Sequence, residues 1–342
     1  MGGGRKSHLL FSQVISLENL FSAWREFKKG KTKRSDVQKF EFNLEDNLFK
    51  LHKELKTKNY SHSNYTPFYI TDPKLRHIHK ACVKDRVVHQ AVFRILYPLF
   101  DKSFIYDSFS CRINKGTHRA VNRLKEFCQK LSINNSKVIY VLKCDIKKFF
   151  DSVDQKILFE IIKRKICDEN TVWLIEKILR SFEKEKGRGL PLGNVTSQLF
   201  ANVYLNELDQ FIKHKLKSRY YVRYCDDFII LGENEKDLFS TAKKINEFLK
   251  RSLNLSLHSD KIIIRKYRQG VDFLGYVLLP YHRVLRVKTK NRIFKKLIKK
   301  SKELRQKQIT REFFNQSIQS YLGVLKHCNS YKIKKKLLET VF

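Results

Sequence analysis

The chain has 342 residues, of which 42% are hydrophobic and 13% aromatic, so it can bury a sizeable core and is not a disordered chain. Its 71 lysines and arginines against 34 aspartates and glutamates give a net charge of +37, which implies a polyanionic partner, either a nucleic acid or an anionic membrane. The seven cysteines form no C-x-x-C pair, and no apolar run approaches the roughly 18 residues of a membrane span. We therefore expect a cytoplasmic protein without disulfides, a zinc site or a membrane partner.

The predicted elements follow one another in a mixed α+β order. Residues 1–60 form a helical N-terminal extension, followed by a strand at 65–70, a basic loop at 71–86 and an amphipathic helix at 87–99. The middle of the chain then alternates short apolar strands with helices. Its predicted strands are 138–145, 218–225, 228–232, 262–266 and 271–278, and its predicted helices are 154–166, 171–184, 194–217 and 236–253. This succession is the split β-α-β order of a ferredoxin-like sheet.

Three aspartates occupy the ends of predicted strands in the middle of the chain. Asp226 and Asp227 form the tip of a hairpin between apolar strands, and Asp145 ends the strand 138–145. If the hairpin pairs beside that strand, the three carboxylates converge at one edge and need cations. Such a group fits a two-metal site for phosphoryl transfer, with Mg²⁺ ions about 3.5–4 Å apart. The alternative for Asp226 and Asp227 is that they are ordinary turn residues.

The positive charge is densest at the C-terminal end. Residues 281–342 contain 18 basic and 3 acidic residues, whereas residues 1–280 contain 53 and 31. A single lysine run can be a solvated face, but this asymmetry favours binding to the phosphates of a nucleic acid. The lysines that we single out there are Lys295, Lys296, Lys299 and Lys300.

Three motifs, in this order, resemble the palm motifs of reverse transcriptases. They are "VIYVLKCDIKKFFDSVD" at 138–154, "GLPLGNVTSQLFANVYLNELD" at 189–209 and "YCDDFIILG" at 224–232. The segments "DRVVHQAV" and "SFSCRINKGTHRAV" resemble the finger motifs of that family, "LNLSLHSDKI" its palm helix and lysine, and "VDFLGYVL" its primer grip. The resemblance extends from about residue 70 to residue 335.

The resemblance implies an α+β right-hand polymerase with a ferredoxin-like (RRM-like) palm, helix-rich fingers and a small helical thumb. The chain would then have four parts. These are the N-terminal helical extension 1–60, the fingers 61–137 with part of 155–190, the palm 138–279 and the thumb 280–342.

The resemblance also implies roles for individual residues. Asp145, Asp226 and Asp227 become the catalytic carboxylates that bind two Mg²⁺ ions, or Mn²⁺ as a substitute, with Asp145 and Asp226 as direct ligands. Phe150 falls where the family places the ring that excludes a ribose 2′-hydroxyl, while Phe149 would belong to the core. The other implied nucleotide-binding residues are Lys74, Arg76, Leu192, Gly193, Gln198 and Lys261. The implied template and primer contacts are Arg112, Phe273, Leu274, Gly275, Lys295, Lys296, Lys299 and Lys300.

Some of these assignments have a competing interpretation. Lys74 can equally belong to a solvated loop. Arg112 and Arg86 can be held by internal ion pairs instead of contacting the template.

Leu192 separates this chain from most reverse transcriptases, which have glutamine before the second glycine of the turn. The sequence "PLGNVTSQ" resembles the [I/V/L]-G-x-x-x-S-Q signature of diversity-generating retroelement enzymes, as does "SYLGVLKHCNSY" further on. Those enzymes copy a template RNA into cDNA with frequent errors opposite adenine. A glutamine would hydrogen-bond the nucleotide sugar, and losing one such bond costs on the order of 1 kcal/mol, so misaligned pairs are penalised less. The alternative is that Leu192 only packs.

The subclass implies partners. They are the template RNA and the RNA/DNA hybrid, dNTPs and a small basic accessory protein, in a bacterial, phage-infected or archaeal cell. About 60 residues follow the primer-grip motif, too few for a maturase segment or an RNase H domain, and retron signatures are missing. Two alternatives remain open, a stand-alone, retron-like or antiphage-defence reverse transcriptase and a non-catalytic RNA-binding protein.

Overall fold

Three β-sheets and fourteen α-helices make up the part of the chain that the computed structural model describes, residues 10–72 and 74–341. The helices are α1 (Leu10–Ile15), α2 (Leu17–Lys28), α3 (Ser35–Phe42), α4 (Leu44–Lys56), α5 (Val83–Asp101), α6 (Thr117–Leu131), α7 (Phe149–Ser152), α8 (Gln155–Lys163), α9 (Glu169–Arg180), α10 (Val195–Gln210), α11 (Glu235–Leu253), α12 (Val287–Arg305), α13 (Arg311–Leu325) and α14 (Tyr331–Val341). The strands are β1 (Thr66–Ile70), β2 (Arg76–Lys80), β3 (Tyr140–Asp145), β4 (Tyr221–Tyr224), β5 (Asp227–Gly232), β6 (Ile263–Lys266), β7 (Val271–Phe273), β8 (Tyr276–Leu278) and β9 (Arg283–Leu285). Within these ranges no helix is both long and apolar enough to cross a membrane.

The predicted N-terminal extension contains the four helices α1 to α4. They contribute buried side chains such as Leu20, Trp24 and Leu48 to the same hydrophobic core as α5. Ser16 begins α2 by accepting a hydrogen bond from the backbone N–H of Asn19, which satisfies one of the free donors of the first turn. Residues 1–9 of the predicted extension lie outside the described residues.

The central sheet has the strand order β4-β5-β3-β6, and all its pairs are antiparallel. Helices α7 to α10 connect β3 to β4, and α11 connects β5 to β6, so the β-α-β-β-α-β succession predicted from the sequence is observed. Side chains of β3 alternate between two cores, with Leu142 and Cys144 in one and Val141 in the other. The sheet is therefore covered on both faces, and its edge strand β6 carries the exposed side chains of Arg265 and Lys266.

The basic segment 71–86, predicted as a loop, is in part a strand. Its residues Arg76–Lys80 form β2 and pair antiparallel with β1 in a two-stranded sheet. Ile78 is the single apolar residue of Arg76–Lys80, so this strand carries only a weak strand signal of its own. Strand β2 is also held by a distant segment, because the backbone N–H of His79 donates to the carbonyl oxygen of Leu192 at 3.1 Å.

The predicted strand 271–278 is instead a tight hairpin of β7 and β8. Leu274 and Gly275, which form its turn, have φ of +51° and +89°, and two such residues in succession are typical of hairpin turns that match strand twist. With β9, the hairpin forms a third sheet, separate from the central one. Helices α12 to α14 pack on this sheet through Ile293, Leu297 and Phe314.

Candidate active site

Asp145 and Asp227 are directly opposite each other in the antiparallel pair of β3 and β5. Asp226 precedes Asp227 in the hairpin turn, and its carbonyl oxygen accepts a hydrogen bond from the backbone N–H of Ile146 at 3.2 Å. The turn is closed by Cys225, whose φ of +57° lies in the left-handed region. The three aspartates therefore meet at one end of the central sheet, as the sequence predicts.

Burial dominates the electrostatics of the two hairpin carboxylates. It raises the pKa of Asp227 to about 6, against the opposing effect of the Lys143 ammonium group. Burial also raises the pKa of Asp226, and the negative charge of Asp145 adds to that rise. Neighbouring carboxylates removed from water favour protonation or a nearby cation.

Two lysines accompany these carboxylates. Lys261 forms an ion pair with Asp145, which brings this predicted nucleotide-binding residue to the cluster of carboxylates. The Nζ atom of Lys143 lies 3.6 Å from Oδ2 of Asp227 and donates to the carbonyl oxygen of Asp272 at 2.7 Å. We did not identify Lys143 from the sequence, although a charged residue inside an otherwise apolar strand was a usable signal.

The donor set suits a hard divalent cation. Carboxylate oxygens are the ligands that Mg²⁺ prefers, and Oδ1 of Asp227 is buried without a hydrogen-bond partner. Among residues 10–72 and 74–341, no group of three or more His, Cys, Asp or Glu side chains is arranged so that it could hold a metal ion. The aspartates thus fit Mg²⁺ in the chemistry of their oxygen donors, and Lys143 and Lys261 are their counter-charges in this arrangement.

A cleft of about 1190 Å³ opens at Asp227. Three structural units form its walls, the segment between β1 and β2, the turn between β7 and β8, and helix α12 with the residues just before it. The predicted residues that line it are Lys74, Arg76, Leu274, Gly275, Lys295, Lys296 and Lys299. Residues that line it and that we did not single out are Asp72, Arg286, Val287, Lys288, Thr289, Asn291 and Arg292. Most lining side chains that carry charge are cationic, so the cleft suits a polyanion.

An ion pair crosses this cleft. Asp72, in the segment between β1 and β2, pairs with Lys296 of α12, and its carboxylate lies 3.9 Å from Nε of Arg292. All three side chains are more than a third exposed, so phosphate groups can compete for these cations.

The turn 189–193 packs tightly against β2. Gly193 has φ of +110°, and a Cβ atom added there would lie 2.9 Å from Cγ2 of Ile78. Only glycine fits this position without strain. The side chain of Leu192 is partly buried, and Gln198 is exposed in the first turn of α10. The glycine is therefore explained by close packing against β2.

The two phenylalanines of "KKFFD" have different environments. Phe149 is buried in the main core, whereas Phe150 is only partly buried at the edge of that core. The carbonyl oxygen of Phe150 accepts a hydrogen bond from the backbone N–H of Leu190 at 2.7 Å, which connects α7 to the 189–193 turn. Of the pair, Phe150 is thus the more accessible ring.

Three residues predicted to contact the template or primer have side chains that are buried or bonded within the protein. Arg112 is turned inward, with Nε donating to Asp101 at 2.7 Å and Nη1 to the carbonyl oxygen of Ile105 at 2.6 Å. Phe273 is fully buried in the core beneath the β7–β8 hairpin. Lys300 donates to Oγ of Ser317 at 2.5 Å and lies over the ring of Phe313, on the side of α12 that faces α13.

Arg86 also has internal partners. Its Nη2 atom donates to Oδ2 of Asp36 at 2.7 Å, and its guanidinium group lies over the ring of Phe27. In the structure both Arg86 and Arg112 are thus paired internally, as one of their two interpretations predicts.

A buried polar chain behind the 189–193 turn was not predicted. Nδ1 of His89 lies 2.8 Å from Oγ1 of Thr196, and its Nε2 lies 3.0 Å from Nε2 of His62. Asp85, also buried, accepts hydrogen bonds from the hydroxyl of Tyr60 at 2.8 Å and from the backbone of Ser63. Burial lowers the pKa of His89 to about 3, so this histidine is neutral. This series of hydrogen bonds connects α5 to the start of α10.

Much of the chain is similar in sequence to known proteins. The family described as reverse transcriptase (RNA-dependent DNA polymerase) matches residues 70–278. Protein YkfC of Escherichia coli (strain K12) is 25% identical over 244 residues, covering 60% of this chain and 64% of that protein. The group II intron-encoded protein LtrA of Lactococcus lactis subsp. cremoris is 25% identical over 304 residues, covering 68% of this chain and 49% of LtrA. The chain thus spans less than two thirds of the length of either relative.

Solved structures show the same fold. The structure of apo telomerase from Candida tropicalis matches with a TM-score of 0.52 at 15% identity, covering 82% of this chain and 57% of that one. This likeness concerns the mixed helix and sheet architecture. Because the family match extends over more than half of the residues and includes all three aspartates, the chain belongs to the reverse transcriptase (RNA-dependent DNA polymerase) family.

Proposed function

We propose that the protein is an RNA-directed DNA polymerase that copies a template RNA into cDNA. The observation that carries the proposal is the meeting of Asp145, Asp226 and Asp227 at one end of the central sheet, where Asp227 lines a cleft whose charged side chains are mostly lysine and arginine. A non-catalytic RNA-binding protein would need the basic walls but not three mutually repelling carboxylates beside them. The arrangement therefore favours phosphoryl transfer over binding alone.

In the proposed reaction the aspartates would hold two Mg²⁺ ions, with Asp145 and Asp226 as direct ligands and Mn²⁺ as an alternative metal. The ions would supply charge stabilisation for the attacking and leaving oxygens. Lys74, Arg76 and Lys261 then bind the triphosphate of the dNTP through charge-assisted hydrogen bonds. The lysines of α12 neutralise the backbone of the RNA/DNA hybrid.

The domains of a right-hand polymerase are assigned accordingly. The central sheet with its helices is the palm (138–279), β1, β2, α5 and α6 belong to the fingers (61–137), and α12 to α14 form the thumb (280–342). The primer strand would meet Leu274 and Gly275 in the β7–β8 turn, which line the cleft. Phe150 would reject ribonucleotides by contact with a 2′-hydroxyl, and Leu192, Gly193 and Gln198 would form the floor beneath the nascent pair.

We further propose that the enzyme is the error-prone, adenine-mutagenic polymerase of a diversity-generating retroelement. Support for this subclass comes from Leu192 and Gln198 in "PLGNVTSQ". A leucine offers shape without a directed hydrogen bond, so it discriminates less between aligned and misaligned pairs. A small basic accessory protein would then assist the enzyme on its template RNA.

The polymerase is tested by primer extension. Purified protein is incubated with a DNA primer on a defined RNA template, Mg²⁺ and the four dNTPs, and we expect DNA product that disappears in Asp226→Ala. The matched control is Glu247→Ala, an exposed carboxylate on α11, which should retain wild-type synthesis. Synthesis by Asp226→Ala at the wild-type rate, or none by the wild type, would refute the proposal. Sequencing of the product then tests the subclass, since a faithful copy of template adenines would exclude it.

A further inference from the structure

A fully buried ion pair lies beneath the hairpin that carries Asp226. Arg223 of β4 and Asp209 of α10 are both shielded from solvent, with 0% exposure of either side chain. The guanidinium group binds the carboxylate through two hydrogen bonds, Nε to Oδ1 at 2.7 Å and Nη2 to Oδ2 at 2.5 Å. The hydroxyl of Tyr221 also donates to Oδ1 of Asp209, at 2.7 Å.

The remaining donor of Arg223 points to the catalytic turn. Its Nη1 atom donates to the carbonyl oxygen of Cys225 at 3.1 Å and to Oδ1 of Asn202 at 3.3 Å. The backbone of Arg223 is held as well, because its N–H donates to the carbonyl oxygen of Asp107 at 3.0 Å and its carbonyl oxygen accepts from the backbone N–H of Phe109 at 2.9 Å. Arg223 thus joins α10, the segment 107–109 and the turn that precedes Asp226.

This turn needs such a contact. Cys225 has a side chain yet adopts a φ of +57°, a conformation that costs about 1–2 kcal/mol for a residue other than glycine. Asp226 follows it directly, next to Asp145, and repulsion between these carboxylates would displace a loosely held turn. A hydrogen bond from a rigid, charged donor to the Cys225 carbonyl opposes that displacement.

Stability alone does not account for the pair. Removing two charges from water costs several kcal/mol per ion, and well-packed apolar residues in place of a buried pair are often neutral or stabilising. What apolar residues cannot replace is the directed N–H at the Cys225 carbonyl. The pair therefore supplies a hydrogen bond of fixed direction to the turn that precedes Asp226.

We propose that Arg223 is a positioning residue for Asp226, which it acts on through the Cys225 carbonyl, with Asp209 as its neutralising partner. The inference rests on the proposed polymerase function and deepens it. Arg223 itself touches neither substrate nor reacting atoms.

The test separates positioning from folding by removing the buried charges and the hydroxyl that binds them together. The triple variant Asp209→Leu/Tyr221→Phe/Arg223→Met leaves neither an unpaired charge nor a hydroxyl without its acceptor, and only the Cys225 carbonyl and Oδ1 of Asn202 lose a donor. We expect a thermal unfolding midpoint close to that of the wild type, because removal of the buried charges offsets the loss of these hydrogen bonds. We expect cDNA synthesis and the affinity for Mn²⁺, measured on the protein without nucleic acid by electron paramagnetic resonance, to fall by about 10- to 100-fold.

The matched control is Arg164→Met. It removes another arginine that pairs with a carboxylate of α10, Glu207, but on the solvent side at 3.2 Å. Its synthesis and Mn²⁺ affinity should equal those of the wild type. A folded triple variant with wild-type Mn²⁺ affinity and rate overturns the inference. Absence of synthesis by the wild type itself would instead refute the polymerase function.

A second variant decides the matter if the triple variant does not fold. Arg223→Lys keeps the charge beside Asp209 but lacks the planar fork needed to reach the Cys225 carbonyl at the same time. A folded Arg223→Lys protein with weakened Mn²⁺ binding supports the inference, and one with unchanged binding overturns it.

Discussion

The backbone N–H of His79 donates a hydrogen bond to the carbonyl oxygen of Leu192. This bond joins β2 to the 189–193 turn and occupies the backbone carbonyl of Leu192. The side chain of Leu192 is therefore the part of the residue that differs chemically from the glutamine of most other reverse transcriptases. A Gly-rich turn before a helix is often a phosphate-binding loop. Here the turn is instead engaged with β2, and Asn194 adds a second hydrogen bond, from its side chain to the carbonyl oxygen of His79 at 3.2 Å.

Replacing Leu192 by glutamine is expected to raise fidelity. A directed hydrogen bond worth about 1 kcal/mol would reduce misincorporation opposite template adenine by about fivefold. Sequencing of cDNA from a defined RNA template measures this, with Leu192→Met as the control that keeps an apolar side chain. An unchanged error spectrum in Leu192→Gln would leave Leu192 as a packing residue.

Replacing Gly193 by alanine is expected to destabilise the protein more than the same change at Gly187. Both glycines have positive φ, but an added Cβ at Gly187 meets nothing within 4 Å, whereas at Gly193 it meets Ile78. The shared backbone strain is on the order of 1 kcal/mol, and the contact with Ile78 adds to it. Chemical unfolding of both variants gives the difference, and equal losses would mean that β2 shifts without cost.

Asp227 is expected to make metal-free protein less stable as pH rises. Its folded-state pKa is raised from 3.8 to about 6, so between these values the native state binds more protons than the unfolded state. This contribution to the free energy of unfolding therefore falls between about pH 4 and pH 6. In EDTA at pH 8, Asp227→Asn should be more stable than the wild type by on the order of 2 kcal/mol, with no such gain at pH 4.

The exposed carboxylate of Glu247 provides the control for that experiment. Glu247→Gln should follow the wild-type dependence of stability on pH, since an exposed carboxylate has no desolvation to relieve. Equal stability of Asp227→Asn and the wild type at pH 8 would contradict the raised pKa.

His89 is expected to make the protein sensitive to acid. Its pKa is lowered from 6.5 to about 3, so between these values the unfolded state binds more protons than the native state and stability is lost as pH falls. From pH 7 to pH 4 the loss should be on the order of 3 kcal/mol. His89→Gln should flatten this dependence, whereas His282→Gln, an exposed histidine, should not. Parallel pH profiles for the wild type and His89→Gln would contradict the buried neutral state.

The lysines of α12 are expected to contact nucleic acid phosphates. Neutralising Lys295, Lys296 and Lys299 together to glutamine should reduce the slope of log K against log salt by about 2–3 for an RNA/DNA hybrid. The control is the α11 triple variant Lys236→Gln/Lys243→Gln/Lys250→Gln, which removes the same charge from exposed positions elsewhere. Identical slopes for the two triple variants would assign the α12 lysines to a solvated face.

Local patterns in the sequence were sufficient to identify the elements of the central sheet. The β-branched run ending at Asp145, the two aspartates between short apolar strands and the periodic helix at 236–253 each have a signal that extends over neighbouring residues. Since side chains alternate along a strand and repeat every 3.6 residues along a helix, burial follows from such local order. These elements also placed all three carboxylates at one sheet edge.

Only the tertiary structure decided which way the remaining side chains turn. By their charge alone, Arg112 and Lys300 were predicted to contact phosphates. In the structure Arg112 bonds to Asp101 at the end of α5, and Lys300 of α12 bonds to Ser317 of α13. Strand β2 has only a weak strand pattern in the sequence. Part of its hydrogen bonding is to Leu192, more than a hundred residues away, and no local pattern reveals such a partner.

The sequence by itself determined the family, the order of strands and helices and the convergence of the aspartates. The tertiary structure decided the burial of Phe273, the partner of Arg223 and the close packing of Gly193 against Ile78. The physical reason is that secondary structure and amphipathic patterning depend on nearest neighbours in the chain. Ion pairs, hydrogen bonds and close contacts depend instead on residues that meet only after folding.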